Sequence, residues 1–373
     1  MVQKILFLLS KILKKTIKTK KNRIIFRSMN STNYNCNPKY ISEYLVNHYN
    51  DKFDIIWVLN NKNKYSFLKN DNIKIISPHS LKTMYYYMSS KFVIDNNGVP
   101  RYISYKDEQI VINTWHGGGS YKKREKEIAK NEHIEIYTKY LSSCRSFSLN
   151  NLLNFYKKLN KDVVFETGLP RNDIFFDKSQ MQNARSKVKK YFNIPNDTKM
   201  ILYAPTYKEN ENNCKTYHLE IDKIITTCEK RFGGKFIFAI RDHKYSQMSY
   251  DFGTFQKIIN TDSYDDLQEI ICASDIVLTD YSSIMWDVSF TDIPCFIYAD
   301  DIKEYVSIRN FYTPIEKWPF PIATSIDELE NNILNFNEEK YKIDVKIHHN
   351  ELGSFENGTA CNQVCDYILK NSK

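Results

Sequence analysis

The chain has 373 residues, of which 42% are hydrophobic and 26% are charged, and its formal net charge is +9. This length exceeds a typical single core and fits two domains of ordinary size, and the composition excludes an intrinsically disordered chain. Ten of the 53 basic residues precede Glu43, the first acidic residue, and the remaining 43 bases nearly balance the 44 acids. The positive charge is therefore a property of the N-terminal segment.

That segment, residues 2–18, is predicted to form an amphipathic helix with one apolar and one basic face. The apolar face holds Val2, Ile5, Leu6, Leu9, Ile12, Leu13 and Ile17, and the basic face holds Lys4, Lys11, Lys14, Lys15 and Lys18. The apolar run is too short to span a bilayer, and the segment lacks the cleavage site of a signal peptide.

Two interpretations of this helix remain open. It lies on anionic lipid, or it packs on the protein with its basic face in solvent. We favour the first and assign residues 1–21 as a basic amphipathic membrane-surface helix. The protein is then expected to be peripheral, at the cytoplasmic face of the plasma membrane, with an anionic membrane surface as a partner.

Short apolar runs and helical stretches alternate through residues 22–180. Strands are predicted at 23–27, 53–59, 73–76, 92–95, 109–114 and 163–166, with helices at 39–50 and 79–90. This alternation predicts a parallel sheet flanked by helices, which we assign as an N-terminal, acceptor-side α/β domain. The polar, helical stretch around 172–195 is the predicted connection between domains.

A second α/β series follows in residues 181–373. Strands are predicted at 199–204, 235–241, 257–260, 275–279 and 294–298, with helices at 218–231, 264–274 and 283–291. This half is assigned as a donor-binding domain, whose last helix could pack back on the N-terminal domain. The predicted architecture is two doubly wound, Rossmann-like domains facing a central cleft, with ligands at the carboxyl ends of the strands.

Eight cysteines are scattered without a CxxC pair, and Cys361 and Cys365 stand four apart without a second pair. They are expected to be reduced, mostly buried thiols rather than a metal site. Asp300-Asp301 is the one acidic pair that could serve a metal. We interpret it as a helix start, because acidic residues suit the first turn of a helix.

The motif Thr114-Trp115-His116-Gly117-Gly118-Gly119 follows the strand at 109–114 directly. A histidine at a strand end, beside glycines that a ligand can approach closely, is typical of a site. Lys122, shortly after, could meet phosphate. The alternative is a flexible glycine turn with an incidental histidine.

Two further strand ends carry polar groups. The strand at 199–204 runs into Thr206 and Lys208, and the strand at 235–241 ends at Arg241 with His243 two residues on. These side chains could bind phosphate at the cleft edge. For Arg241 the alternative is an ion pair with Asp242, which would make it structural.

Two helix starts could bind anions. Ser282 and Ser283 precede the predicted helix at 283–291, and Asn357-Gly358-Thr359 precedes the final helix. The free N–H groups at a helix N-terminus attract phosphate, so these starts could hold a diphosphate without metal. The alternative is an ordinary N-cap without a ligand.

Taken together, these motifs resemble the CDP-glycerol glycerophosphotransferases, the primases and polymerases of teichoic acid and related capsule polymers. The resemblance covers about residues 23–370. It runs through IIFRS, NPKYISEYL, TWHGGG, GLPRND, ILYAPTYK, RDH, DLQEIICASDIVLTDYSSIMWD, PCFIYADDIKEY and ENGTA. The chain departs from the family's usual HGTPLK after His116 and from its usual APTWR at Tyr207 and Lys208.

The resemblance implies a GT-B-like fold and transfer of glycerol or ribitol phosphate from CDP-glycerol or CDP-ribitol. The acceptor would be a hydroxyl of a lipid-linked or polymeric polyol phosphate or saccharide, and CMP would leave. His116 and His243 match the family's two functional histidines, one as general base and one as stabiliser, in an order left open. Arg241, Thr206, Lys208, Ser282, Ser283, Asn357, Gly358 and Thr359 are assigned to the donor phosphates, and Gly117, Gly118, Gly119 and Lys122 to the acceptor side.

No metal, no cofactor and no nucleic-acid partner are expected. Two rival functions stay open: a GT-B glycosyltransferase that uses a nucleotide sugar, and a non-catalytic membrane scaffold. The same two-domain architecture serves both transfer chemistries, since a fold does not fix a function. A donor screen separates the two enzymes, and any turnover excludes the scaffold.

Overall fold

A computed structural model describes residues 2–123, 136–156, 159–206, 219–241, 258–308 and 310–373. The chain forms two compact units. The first unit comprises Met1–His116, Glu125–Asp173 and Phe355–Lys373, and the second comprises Gly117–Arg124 and Ile174–Ser354. The change of unit after Asp173 falls a few residues before the predicted boundary at 180/181, and the C-terminal segment is part of the first unit.

The described residues of the first unit form a seven-stranded sheet in which every pair of neighbours is parallel. Its strands are β1 (Lys20–Arg27), β2 (Asp54–Val58), β3 (Lys74–Ile76), β4 (Ser90–Asp95), β5 (Ile110–Asn113), β6 (Lys139–Leu141) and β7 (Val164–Phe165). Their order is β3-β2-β1-β4-β5-β6-β7. The sequence did not predict β6, because three residues are too few to show a periodic pattern.

Both faces of this sheet are buried, which explains why its strands read as continuous apolar runs. Ile24 and Phe26 face one core and Ile25 faces the other. The longer helices are α1 (Val2–Leu13), α2 (Cys36–Tyr49), α3 (Leu81–Ser89) and, at the C-terminus, the helix Ala360–Asn371. The C-terminal helix contributes Val364 to the same core as Ile24, so the chain returns to the first unit at its end.

The helix α1 packs on the core of the first unit, which is the interpretation that the sequence analysis left open but did not favour. Leu6, Leu9, Leu13 and Ile17 lie against the core beside Ile25. Ser10 is fully buried, and its hydroxyl oxygen accepts the Ser104 N–H at 2.9 Å. A second apolar stripe is nevertheless exposed, and it consists of Ile5, Leu8 and Ile12. The apolar face of this helix is therefore wider than the surface it covers.

The described residues of the second unit form a six-stranded parallel sheet. Its strands are β8 (Thr198–Tyr203), β9 (Lys235–Ile240), β10 (Ile258–Asn260), β11 (Ile276–Thr279), β12 (Cys295–Tyr298) and β13 (Ile322–Ala323), in the order β10-β9-β8-β11-β12-β13. The two-residue strand β13 was too short to be predicted from a periodic pattern.

Seven helices accompany this sheet and its connections among the described residues of the second unit. They are α4 (Lys178–Tyr191), α5 (Ile221–Phe232), α6 (Leu267–Ala273), α7 (Ile284–Val288), α8 (Ile302–Ile308), α9 (Ile326–Leu334) and α10 (Glu338–Leu352), and the C-terminal helix Ala360–Asn371 is α11. The interpretation of Asp300-Asp301 as a helix start is confirmed, since α8 begins directly after the pair.

The cysteine prediction is confirmed wherever the structure describes a cysteine. Seven cysteines are buried free thiols, and Cys214 lies outside the described residues. Burial raises the pKa of the Cys144 thiol to about 12, so that it is protonated and unreactive at neutral pH. Within the described ranges, no helix has the length and apolar character needed to cross a membrane.

Each sheet reverses its winding direction at one point. In the first sheet β1 lies beside both β2 and β4, and in the second β8 lies beside both β9 and β11. At such a point the connections leave for opposite faces and open a crevice at the carboxyl ends of the strands. The loops after β1 and β4, and those after β8 and β11, are therefore the first places to look for a site.

Candidate active site

His116 lies at the carboxyl edge of the first sheet, three residues after the end of β5, and its ring is exposed. Its Nδ1 lies 2.8 Å from the main-chain oxygen of Asn96, directly after β4. A carbonyl oxygen can only accept, so Nδ1 must carry the proton in this contact. Nε2 is then the unprotonated nitrogen of the neutral ring, which is the state of a general base.

The main chain around His116 is held by buried side chains. The Asn37 amide donates to the carbonyl oxygens of Thr114 at 2.9 Å and Trp115 at 3.1 Å. The Arg171 guanidinium donates to the His116 carbonyl oxygen at 2.7 Å, and the main-chain N–H of Arg171 donates to Oδ1 of Asn37 at 3.1 Å. Because such networks are strongest in a buried setting, they fix the position of the imidazole.

Trp115 has a φ of 56°, in the left-handed region that bulky residues rarely adopt. Its N–H donates to the Asn113 side chain at 2.9 Å. Its ring stacks on that of His116 with centroids 5.9 Å apart, and the edge of Phe147 packs against it at 5.5 Å. Backbone strain of this kind persists only where surrounding contacts impose it, and it concentrates at functional sites.

The glycines that follow His116 are parts of the second unit. A Cβ added at Gly118 would lie 1.9 Å from Cδ1 of Trp286, so only glycine fits against this indole. Gly119 has a φ of 65°, which also favours glycine. The turn is thus a tightly packed one, and not the flexible loop that the sequence left as an alternative.

Thr206 and Lys122 meet at the crevice of the second sheet, at the end of β8. The Thr206 N–H and hydroxyl donate to Oδ1 of Asp280 at 2.8 and 2.5 Å, and the Lys122 ammonium donates to the Thr206 hydroxyl oxygen at 3.3 Å. Asp280 directly follows β11 and is buried. Its Oδ2 accepts no hydrogen bond from any residue that the structure describes. Sequence reasoning missed Asp280, although a carboxylate directly after a buried strand was a usable signal.

Ser282 and Ser283 lie at the start of the five-residue helix α7. Ser283 occupies the N-cap position without a capping bond from its side chain, and Ser282 accepts the Ile284 N–H only at 3.5 Å. Both side chains are partly exposed. Their hydroxyls are therefore only weakly committed to the helix start, and their role at a phosphate stays a prediction.

Arg241 directly follows β9, and its guanidinium donates to main-chain carbonyls. The acceptors are Thr261 at 2.7 Å, Asp265 at 3.3 Å, and Tyr264. Burial lowers the pKa of this guanidinium, and three nearby carboxylates partly offset that effect. These contacts fix the segment after β10, so the role of Arg241 at a phosphate stays a prediction.

The N–H groups at the start of α11 donate to a carboxylate of the same unit. The Asp173 carboxylate accepts the N–H groups of Ala360 at 3.0 Å and Cys361 at 2.7 Å. The Thr359 hydroxyl donates to Asn357 at 2.6 Å, across Gly358. A carboxylate therefore already accepts from two of the N–H groups at this helix start. Asp173 lies 187 residues from Ala360 in sequence, and the role of the Asn357-Gly358-Thr359 turn at a phosphate stays a prediction.

Two predicted site residues, His243 and Lys208, lie outside the described residues, as does Asp242. The remaining predicted residues divide between the units. His116 and the turn Asn357-Gly358-Thr359 are in the first unit, whereas Gly117 to Gly119, Lys122, Thr206, Arg241, Ser282 and Ser283 are in the second.

The sequence is similar to known teichoic acid enzymes. It is 26% identical to the teichoic acid poly(glycerol phosphate) polymerase of Staphylococcus epidermidis over 95% of this chain and 51% of that protein. It is 26% identical to the teichoic acid glycerol-phosphate transferase of Staphylococcus aureus over 94% of this chain and 93% of that protein. The chain spans about half the length of the first of these relatives.

The structure is similar to that of the wall teichoic acid polymerase TagF. The TM-score is 0.82 at 24% sequence identity, covering 99% of this chain and 94% of that one. This likeness confirms the GT-B-like α/β fold that the sequence predicts. The sequence profile of the CDP-glycerol:poly(glycerophosphate) glycerophosphotransferases matches residues 9–370, and so this chain belongs to that family.

Proposed function

We propose that this protein transfers glycerol phosphate or ribitol phosphate from a CDP-polyol to a hydroxyl group. The acceptor is a teichoic-acid-like or capsular polymer or its lipid-linked primer, and CMP is released. Family membership and the activities named for the relatives support this proposal. The single observation that carries it is the Nδ1 contact of His116 with the Asn96 carbonyl, because it places the proton of the neutral ring on Nδ1 and the basic lone pair on Nε2.

The reaction is a phosphoryl transfer. The acceptor oxygen attacks the donor phosphorus that carries the polyol, and the bond from this phosphorus to the oxygen of CMP breaks. The hydroxyl proton passes to Nε2 of His116. General-base help of this kind contributes roughly 100- to 10,000-fold to a rate. This assignment makes His116 the base and leaves His243 as the group that stabilises the leaving phosphate.

On the donor side, we assign the diphosphate to hydroxyl and cationic groups of the second unit. Ser282 and Ser283 offer partly exposed hydroxyls. We assign Lys122 to the donor phosphates instead of to the acceptor side that the sequence analysis gave it, because its ammonium lies beside Thr206. Charged donors of this kind stabilise the phosphate oxygens as the bond to CMP breaks. Asp280 holds Thr206 in place and so positions the threonine rather than contacting phosphate.

The variant His116→Asn tests the base directly. The asparagine amide can still donate to the Asn96 carbonyl as Nδ1 does, but it cannot accept the proton. We expect kcat to fall about 100- to 10,000-fold while the KM for the CDP-polyol changes little. The matched control is His48→Asn on the exposed side of α2. Unchanged turnover of His116→Asn would remove His116 from the mechanism.

A screen of donors tests the reaction class. CDP-glycerol and CDP-ribitol are compared with common UDP-sugars, and release of the nucleotide is measured with a saccharide or polyol-phosphate acceptor. The proposal requires turnover with a CDP-polyol. Turnover with a UDP-sugar alone would replace it with glycosyl transfer.

We further propose that α1 attaches the protein to an anionic membrane surface. Ile5, Leu8 and Ile12 form an exposed apolar stripe. Lysines of the same segment line a groove of about 760 Å³ together with Lys91 and Lys106, and they outnumber the two acidic residues of its lining, Asp107 and Glu108. A stripe of apolar side chains beside lysines matches the boundary between anionic headgroups and acyl chains, where each base is worth about 1 kcal/mol.

Matched substitutions separate membrane binding from packing. Ile5→Ser with Leu8→Ser should weaken binding to phosphatidylglycerol vesicles and leave the melting temperature unchanged, since both side chains are exposed. Leu6→Ser with Leu9→Ser should lower the melting temperature, because these residues pack on the core. Vesicle binding that survives the first pair of substitutions would end the membrane proposal.

A further inference from the structure

A cavity of about 330 Å³ opens beside His116 in the first unit. Its wall includes Arg27 and Asn30 after β1, Asn97 after β4, and Trp115 and His116 after β5. It therefore lies at the carboxyl ends of β1 and β4, where the first sheet reverses its winding direction. Ligands bind at such points in doubly wound sheets.

The backbone around this cavity is strained on two sides. Met29, Asn30 and Ser31 have φ values of 44°, 54° and 71°, which puts three successive residues other than glycine in the left-handed region. Trp115 faces the same cavity at 56°. Backbone strain of this kind is retained where a site needs the geometry. Strain in two loops around one cavity is a second, independent sign of a site.

The described residues of the wall carry a small positive charge. Nε of Arg27 lies 2.5 Å from Oδ2 of Asp95, so this buried pair is neutral as a whole. The Arg27 guanidinium also donates to Asn30 at 3.3 Å and to the Gly98 carbonyl, which fixes two of the loops. Arg101, which is exposed, adds a positive charge at the rim. The wall thus suits a ligand with about one negative charge.

Most of the remaining side chains of the wall are asparagine amides and aromatic rings. Asn30 and Asn97 are exposed amides, and Trp115 and Tyr137 are partly exposed rings. An amide can both donate a hydrogen bond to a hydroxyl group and accept one from it. The apolar faces of aromatic rings pack against carbon chains that carry hydroxyls. The volume is at the low end of ligand cavities, which suits one or two small units rather than a large ligand.

We propose that this cavity binds the acceptor end, namely a terminal polyol or sugar unit together with the phosphodiester that precedes it. The Asn30 and Asn97 amides bind its hydroxyls, Arg101 binds the phosphodiester, and Trp115 packs on its carbon chain. This inference rests on the proposed function, because a base must reach the attacking hydroxyl within hydrogen-bond distance. The imidazole of His116 is part of the cavity wall, next to the proposed position of that hydroxyl.

A nucleoside diphosphate fits this cavity less well. A diphosphate carries at least two negative charges and is commonly bound at a helix N-terminus. The described loops at 96–101 and 113–116, which form most of the polar wall, contain no helix.

Tryptophan fluorescence tests which molecule binds in the cavity. Trp57 and Trp286 are fully buried and Trp318 is 5% exposed, whereas Trp115 is partly exposed, so acrylamide quenching reports mainly on Trp115. The probe is a synthetic tri(glycerol phosphate), added without donor, with CMP as the comparison. We expect the trimer to protect the protein from quenching and Trp115→Phe to abolish the effect. Protection by CMP but not by the trimer would overturn the inference.

Kinetics supply the second readout. Arg101→Ala should raise the KM for the trimer at least 10-fold and leave the KM for the CDP-polyol unchanged, with Arg145→Ala, exposed but outside the cavity, as the control. Unchanged acceptor KM in Arg101→Ala would refute the assignment even in an active enzyme. Absence of CMP release from any CDP-polyol would instead refute the proposed function, and trimer protection of Trp115 would still test the cavity.

Discussion

Stability of the second unit should fall in mild acid because of two adjacent histidines on α10. His348 is buried, and its Nε2 lies 3.0 Å from the hydroxyl of Tyr121. Nε2 of His349 lies 2.7 Å from the hydroxyl of Ser289, and its ring stacks on Phe290 at 4.3 Å. Burial lowers the pKa of each histidine from 6.5 to about 4.

The sign of the effect follows from which state binds the proton. The folded chain keeps both rings neutral down to about pH 4, whereas the unfolded chain protonates them near pH 6.5. Their contribution to stability is therefore complete above pH 6.5 and is lost as the pH falls towards 4. Between pH 8 and pH 5 each histidine should lower the free energy of unfolding by about 2 kcal/mol.

Urea unfolding at pH 8 and pH 5, followed by tryptophan fluorescence, measures this loss. The double variant His348→Phe/His349→Phe should show a difference between the two pH values that is smaller by up to about 4 kcal/mol. His48→Phe, on an exposed position of α2, should keep the full difference. If the double variant retained the same pH dependence as the unaltered protein, the reasoning would be refuted.

Three further predictions concern the turn after His116, the start of α11 and metal ions. Gly118→Ala should destabilise the protein by about 1–3 kcal/mol or more in urea, because its methyl group overlaps Trp286, and an unchanged urea midpoint would contradict the packing. Asp173→Ala should cost about 1 kcal/mol through loss of the N–H contacts at α11, and an unchanged urea midpoint would argue against the cap. Activity should survive EDTA, since hydroxyl and cationic groups are assigned to the diphosphate, and a strict requirement restored by Mg²⁺ would contradict that assignment.

The sequence predicted the two α/β halves well because each long strand is an apolar run that ends in polar residues. His116, Thr206 and Ser282 were predicted as site residues for the same reason, since each follows such a run or the turn after it. Strands β6 and β13 escaped because they contain only three and two residues. Their pairing with neighbouring strands, and not a local pattern, defines them.

Contacts between residues that are far apart in the sequence could not be predicted from it. The N–H groups of α11 look free in the sequence, but Asp173 occupies two of them. The support of His116 by Asn37 and Arg171 joins residues 55 to 134 positions apart. Helical periodicity likewise placed Leu6, Leu9 and Leu13 on one face of α1, and these residues do pack against the core. It put Ile5 on the same face and left Leu8 out, and only the packed structure shows that both are exposed.

The central claim is that a polyol phosphate moves to a hydroxyl with His116 as the base. Phosphorus NMR of a reaction containing CDP-glycerol and tri(glycerol phosphate) tests it most directly, in the unaltered protein and in His116→Asn. The account predicts CMP and a new phosphodiester in equal amounts, both nearly absent with His116→Asn. Release of CDP in place of CMP, or full turnover by His116→Asn, would contradict it.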